Sequence, residues 1–437
     1  MTYNAVWRWH FYAGLFCVPF VLWLAMTGSI YLWKPQVEAL IDRPYDHLAV
    51  TGPRASAAAQ VAAAIVAVPG SVFHRYELPQ SPRAAIRVIV ERDGEERRVY
   101  VHPQTLAILK TVKEDDRLMR VVFRLHGELM MGKRGSYVVE LAASWAIVMI
   151  LTGLYLWWPR GAMGLAGVIY PRWRAGGRLF WRDLHAVAGI WVSAFALFLL
   201  VSGLPWAAGW GSYLKAARSI GGTAIQQDWP TGGPEPMLGE HAEHGGMNMA
   251  HQRDSLAALD HIVPAVMPLK LEAPVMIAPP THGGAAWTVK SDAANRPLRT
   301  SLTVDGEGRV LSREDFRQRR LIDRIVGYGV AAHEGQLFGL ANQLIGLFTA
   351  ICLVLVSVSS AVMWWRRRPD GVLGAPIPRG RSRFGGMFAG VLILLGLLLP
   401  LLGLSLLAVF ATEKLLLRRL PMASRWLGLR AATEQGL

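Results

Sequence analysis

Long apolar runs at 11–33, 137–158, 180–204, within 333–365 and at 387–410 divide the chain, and polar stretches of very different lengths separate them. A helix that crosses a bilayer needs about 20 mostly apolar residues, so each run predicts a span. The run within 333–365 reads HEGQLFGLANQLIGLFTAICLVLVSVSSAVMWW, with Arg366, Arg367 and Arg368 directly after it. Helical throughout, it would measure about 48 Å against a hydrocarbon core of about 30 Å. His333 is therefore expected at or just outside one membrane face, with Trp364 and Trp365 marking the other.

The same layout occurs earlier. His126 opens HGELMMG as His333 opens HEGQLFG; a glycine follows each six positions later (Gly132, Gly339), and Trp158 lies as far past His126 as Trp365 past His333. The first and third runs also match. His10 and His185 are each followed by a glycine four positions on (Gly14, Gly189) and by a hydroxyl–glycine pair further along (Thr27-Gly28, Ser202-Gly203). Two parallel copies of span, polar module, span are thus expected. Such copies pack about a pseudo-twofold axis along the membrane normal, which would bring His10 towards His185 at one face and His126 towards His333 at the other.

Each polar module reads as small α+β structure. The first has an alanine-rich helical stretch at 55–68, strand-like stretches at 71–78 and 84–91, a turn at Asp93-Gly94 and a third strand at 97–102. The second repeats the order, with a helix at 255–266, strands near 275–277, 286–290 and 299–304, and a turn at Asp305-Gly306. At about 60–70 residues each, the modules are marginal alone and are expected to lean on the membrane helices. The fifth run has no repeat partner and contains Pro400. One span followed by an interfacial tail is expected there, with a re-entrant hairpin at Pro400 as the alternative.

Composition agrees with a membrane protein: 52% hydrophobic and 18% charged residues, with a mean hydropathy of +0.29. The net charge of +15 raises nucleic acid as a partner. Most basic residues, however, sit in short clusters beside apolar runs, and no basic-plus-aromatic module stands out, so nucleic acid is excluded. The loops at 159–182 and 366–383 are short and arginine-rich, which assigns them to the cytoplasm and both modules to the periplasm of a bacterial inner membrane. The first run lacks a small-residue cleavage site and reads as a retained signal-anchor. The expected boundaries are a first span within 1–33, a module at 34–116, a helix with the second span at 117–158, a loop at 159–179 and the third span at 180–204. A second module at 205–330, a helix with the fourth span at 331–365, a loop at 366–386, the fifth span at 387–410 and a tail at 411–437 complete the chain. Cys17 and Cys352 fall inside apolar runs and read as packing residues.

Ionisable residues in spans are costly and mark function by default. A lone histidine could simply hydrogen-bond at an interface or cap a helix; four at repeat-related positions point to shared chemistry. Two facing imidazoles suit six-coordinate haem iron, and neighbouring glycines would let a flat macrocycle approach the backbone. Zinc is disfavoured, because a histidine pair lacks the third and fourth ligands. A proton relay through the histidines is the other reading. Glu128 and Glu334 stand beside His126 and His333 and could orient imidazoles or protons, or be solvated helix-end carboxylates. His47, His74, His102, His261 and His282 read as surface residues.

The motifs WRWHFYAGLF, FRLHGELMMGKRG, LTGLYLWWP, FWRDLHAVAGIW and HEGQLFGLANQLIG resemble the PepSY-associated transmembrane family, and VYVHPQTLAIL and SLTVDGEGRVL resemble the end of a PepSY domain. The resemblance covers the four repeat-related spans and both modules and extends to about residue 410. It implies an α-helical transmembrane bundle with two PepSY-like periplasmic modules. It further implies a haem b protein, with one or two bis-histidine haems on His10, His126, His185 and His333, that passes electrons to a ferric siderophore in iron uptake. Where the second span has Thr152-Gly153 the fourth has Ser359-Ser360, a departure that bears on how closely haem packs there. Neither arginine-rich loop could hold a flavin or nicotinamide domain, and GAMGLAG at 161–167 follows a span rather than a strand. Membrane quinol or a separate reductase is then the electron donor.

Residues 237–251 read MLGEHAEHGGMNMAH, and His241, His244, Met247, Met249 and His251 form a donor set suited to copper, above all Cu(I). A flexible polar loop is the alternative. Three functions therefore compete: a ferric-siderophore reductase, a non-redox permease for an iron–siderophore complex, and a copper-handling or PepSY-type binding protein.

Overall fold

Backbone amides in hydrocarbon can find partners only within helices or closed barrels, so the apolar runs are held to helix. The structure, a computed structural model, describes residues 3–160, 164–220, 256–280, 284–376 and 386–429. The first half comprises α1 (Tyr3–Tyr31), α2 (Lys34–Asp46), α3 (Ala57–Ala67), β1 (Val72–Glu77), β2 (Ile86–Arg92), β3 (Glu95–Val101) and β4 (Ile108–Lys113). Next come α4 (Leu118–Glu128), α5 (Lys133–Trp157), α6 (Gly177–Gly203) and α7 (Ala208–Ile220). The second half comprises α8 (Leu259–Val266), β5 (Val275–Ala278), β6 (Trp287–Ser291), β7 (Thr300–Val304), β8 (Val310–Asp315), α9 (Leu321–His333), α10 (Leu340–Arg367), α11 (Gly386–Leu398), α12 (Pro400–Leu415) and α13 (Pro421–Trp426). Among the described residues, Tyr3–Tyr31, Lys133–Trp157, Gly177–Trp206, Leu340–Arg367 and Pro400–Arg419 are long and apolar enough to cross a membrane. The chain forms two compact units, one of Met1–Ser29, Arg124–Gly233 and Leu344–Leu437, the other of Ile30–Phe123 and Pro234–Gln343.

In the helix unit, Val192, Ala196 and Cys352 pack with Ile150 and Leu353, joining α5, α6 and α10. Both cysteines are free and buried, as expected of packing residues. The fifth run differs from the expected single helix. Pro400 has no N–H to donate, and its ring would collide with the Gly396 carbonyl in a continuous helix. The chain turns back at Leu399 (φ −125°, ψ 84°), and Gly396 and Gly403 meet so closely that a Cβ on either would lie 3.3 Å from the other's Cα. Trp210 donates its indole N–H to the Leu398 carbonyl at the break (3.0 Å), and Trp145 donates to Ser405 Oγ (3.0 Å). After α12 the tail returns to the stretch that follows α10: Leu373 N–H donates to Trp426 O (2.9 Å), and Tyr12 donates to Leu427 O. Both ends of the hairpin therefore share one side, and Arg425 joins Arg366, Arg367 and Arg368 there instead of lying opposite them.

The two modules form one antiparallel sheet of order β4-β3-β2-β1-β5-β6-β7-β8. Strand β1 of the first pairs with β5 of the second, Tyr76 opposite Ile277 and Glu77 opposite Met276. Helices α3 and α8 cover one face, where Val61, Ala64, Leu259 and Ile262 share a core with Val88, Val99, Val289 and Leu302. Ala58 N–H donates to Asp260 Oδ1 (2.9 Å), so α8 helps to cap α3. Each module is thus supported by its twin. Strands β4 and β8 were not expected; both lie at sheet edges, β8 largely exposed and β4 without a buried residue, so they lack the alternation that marks a half-buried strand. The other face buries charge. Glu77 accepts from Arg98 Nη1 (2.6 Å) and lies 3.6 Å from Arg87, while Arg98 also reaches Glu114 and Arg87 reaches Asp46 (2.6 Å). Burial works against charge on Arg98, yet Glu77 and Glu114 hold its pKa above the ordinary value.

Candidate functional site

Helix α1 carries His10 near one end and Thr27-Gly28 near the other; α4 and α5 carry His126 and Thr152-Gly153. The helix unit joins these reciprocally. His10 Nδ1 lies 3.0 Å from Met149 O and 3.2 Å from Thr152 Oγ1. His126 Nδ1 lies 3.0 Å from Thr27 Oγ1. A Cβ on Gly153 would come within 3.1 Å of His10 Cε1, and one on Gly28 within 3.1 Å of His126 Cε1. Each threonine thus binds an imidazole nitrogen while the next glycine leaves room for the ring edge. His185 sits likewise against α10, its Nδ1 3.0 Å from Val356 O and 3.4 Å from Ser359 Oγ.

These contacts fix the tautomer. A carbonyl oxygen can only accept, so Nδ1 of His10 and of His185 carries the hydrogen. Thr27 donates its own hydroxyl hydrogen to Trp23 O (2.8 Å), and Thr152 donates to Val148 O (2.8 Å). Their oxygens therefore accept from the histidines. All three imidazoles are left with their lone pair on Nε2, and an Nδ1–H donated to carbonyl or hydroxyl oxygen is the usual support of a metal-binding histidine.

His10 and His185 come together, their ring centroids 6.3 Å apart and their planes at 79°. At that separation two imidazoles could both serve one metal ion through Nε2. The pair fits bis-histidine ligation of a single metal, as in haem b. A Cβ on Gly189 would meet nothing within 4 Å, and one on Gly14 only Met149 Sδ at 3.9 Å, so neither glycine is required by its neighbours in the protein. Gly28 and Gly153 instead make room for imidazoles. Gly132 and Gly339 serve the backbone, with φ +57° in each.

His333 belongs to the sheet unit. It ends α9, and α10 begins only at Leu340, so the expected continuous helix is a helix–turn–helix with left-handed Gly335 (φ +74°) in the turn. His126 has the same arrangement, with left-handed Leu129 and Met130 between α4 and α5. Gln336 and Gln343 both donate to Leu32 O (3.3 and 2.8 Å), and Asn342 donates to Ala332 O (2.9 Å), which ties the turn beside His333 to the end of α1. Glu128 is buried rather than solvated, and Glu334 lies 3.9 Å from Arg296. The His241, His244, Met247, Met249 and His251 stretch lies outside the described residues, as does His282. Among the described residues, no group of three or more His, Cys, Asp or Glu side chains could hold a metal ion.

Sequence reasoning missed Glu140, whose buried carboxylate on α5 accepts Gly209 N–H (2.8 Å) at the start of α7, beside Ser136, which accepts Ala208 N–H (3.0 Å). An acid inside an apolar run was the available signal. Its contacts read as a helix cap supplied by a neighbouring helix.

Comparison with protein families finds that the family described as PepSY-associated TM region matches residues 7–367. No curated protein matches the chain.

Proposed function

The chain belongs to the PepSY-associated transmembrane family, and from that premise we propose that it is an inner-membrane haem b reductase passing electrons to a ferric siderophore at the periplasmic face. The observation that carries this reading is the His10–His185 pair, 6.3 Å apart, each with Nδ1 committed to a backbone carbonyl. His126, held by Thr27, and the repeat-related His333 would each supply a further ligand. Bound haem supplies reversible one-electron chemistry whose potential depends on axial ligands, hydrogen bonding and burial.

The chain's own residues do the rest. His10, His126 and His185 offer Nε2 lone pairs, and His333 an imidazole. Thr27, Thr152 and Ser359 orient three of those rings. The apolar helix unit excludes water from the path between faces. At the outer face the ferric chelate takes one electron, Fe(III) becoming Fe(II); hard oxygen ligands hold the ferrous ion less tightly, so reduction loosens the complex. Each membrane quinol oxidised would release two electrons and two protons, enough for two ferric chelates. A separate reductase is the other donor compatible with the short arginine-rich loops.

The test is the visible spectrum of detergent-purified protein from haem-supplied cells, oxidised and then reduced with dithionite. Bis-histidine haem bands that sharpen on reduction are expected. A preparation without haem bands would reject the reductase and leave a non-redox permease or a cofactor-free binding protein. His10→Ala and His185→Ala should each lower the haem content; unchanged content in both overturns that pair as ligands.

A further inference from the structure

Helix α9 is apolar on two sides. Val330 and Ala331 are buried, and Gly327 sits against the Phe316 ring, where a Cβ would lie 2.5 Å away. The remaining apolar side chains, Leu321 (65% exposed), Ile322 (42%), Ile325 (56%) and Tyr328 (44%), form a second stripe at helical spacing. Contiguous exposed apolar surface of this kind marks a partner or a membrane.

Two further observations select the membrane. The first is charge. Arg317 and Arg320 are exposed just before the helix, and Arg324 follows one turn in, donating to Arg317 O (3.3 Å). Among the described residues, none of these three arginines takes part in an ion pair. In the first copy, by contrast, Arg117 is paired with Glu38 and Glu114, and Arg120 with Asp115. Cations around the start of a helix also oppose its dipole, a cost that nearby anions relieve. The second observation is tethering. Only a short turn separates α9 from the apolar helix α10, and the Asn342–Ala332 hydrogen bond (2.9 Å) joins the last turn of one to the first turn of the other. Chain connectivity therefore keeps the end of α9 that bears His333 within a few residues of an apolar span.

We propose that α9 is an interfacial helix seated among anionic phospholipid headgroups, with Leu321, Ile322, Ile325 and Tyr328 at the acyl boundary and Arg317, Arg320 and Arg324 on lipid phosphates. An apolar stripe with arginine flanks has the composition of helices that lie in this layer, and guanidinium groups match phosphate oxygens with paired hydrogen bonds. Because His333 is the last residue of α9, the seating of the helix sets the level of that histidine against the bilayer. The lipid contact stands whether or not haem is bound.

The experiment uses the full chain with Ile325→Cys carrying a polarity-sensitive fluorophore; Cys17 and Cys352 are buried, so labelling is selective. The protein is placed in vesicles of phosphatidylcholine alone or of phosphatidylcholine with phosphatidylglycerol. Blue-shifted emission and quenching by lipid-borne nitroxide, both stronger with phosphatidylglycerol, are expected. The triple variant R317Q/R320Q/R324Q alters mainly exposed side chains and should unfold at the parent's temperature. Its quenching in phosphatidylglycerol vesicles should fall about threefold or more, towards the phosphatidylcholine level. Quenching by aqueous iodide in both vesicle types would overturn the proposal. So would disulfide capture of Ile325→Cys by a second copy, which would make the stripe a protein interface, or a phosphatidylglycerol response that survives in the triple variant.

Discussion

A histidine in a membrane helix has two nitrogens to place, and here hydroxyl groups decide which keeps its lone pair. Thr27 and Thr152 spend their own hydrogens on carbonyls of their own helices, so each can only accept from the imidazole it faces. Valine has nearly the shape of threonine and no acceptor. On the haem reading proposed above, Thr27→Val is expected to leave the helices folded while weakening haem retention about 10–100-fold, the usual cost of losing a partner that orients a metal-binding histidine. Thr152→Val should cost less, because Met149 O still holds His10 Nδ1. Haem-release rates from the two variants check this; equal rates in both variants and the parent would show that the hydroxyls do not orient ligands. The approach of His10 to His185 was legible in the sequence because their offsets repeat. The threonines were visible only as spacing, and Gly28 and Gly153 were assigned to a macrocycle. That a glycine can serve an imidazole edge depends on which helix lies opposite, which no single-chain pattern records.

At the level of elements, the sequence located the apolar runs well and their ends less well. His126 and His333 were placed on helices that continue into the spans, yet both copies break after the histidine, with left-handed Leu129 and Met130 in one and Gly335 in the other. Gly335 was a visible cue; Leu129 and Met130 were not, since neither residue type favours that conformation. Pro400 was a visible cue as well. A lone proline can kink a span or reverse it, and the choice here depends on partners distant in sequence, Trp210 for the freed Leu398 carbonyl and the close Gly396–Gly403 crossing. The reversal makes a topological prediction. Met422 is 87% exposed on α13, and Asp370 is exposed just after α10. Met422→Cys and Asp370→Cys should react with a membrane-impermeant maleimide from the same side of oriented vesicles. Labelling from opposite sides would mean that the fifth run crosses the bilayer once.

On the scale of the whole chain, the repeated order of elements is visible in the sheet, where β4-β3-β2-β1 is mirrored by β5-β6-β7-β8. Two α+β modules too small to be secure alone became halves of one body by pairing β1 with β5, a junction that the strand pattern of either half could not disclose. Glu77 sits at that junction, opposite Met276 and buried between the Arg98 and Arg87 guanidinium groups. Removing it leaves two buried cations short of a counter-charge, which typically costs about 3–5 kcal/mol. Because β1 is shared by both halves, the damage should not stop at the first. Glu77→Ala is expected to speed amide exchange in β2 and β3 and, by a similar factor, in β5 and β6, with the sheet opening as one cooperative body. Protection kept in β5 to β8 while β1 to β4 exchange would instead mean that each copy retains its own stability. The junction would then be a contact between two independent modules rather than the centre of one.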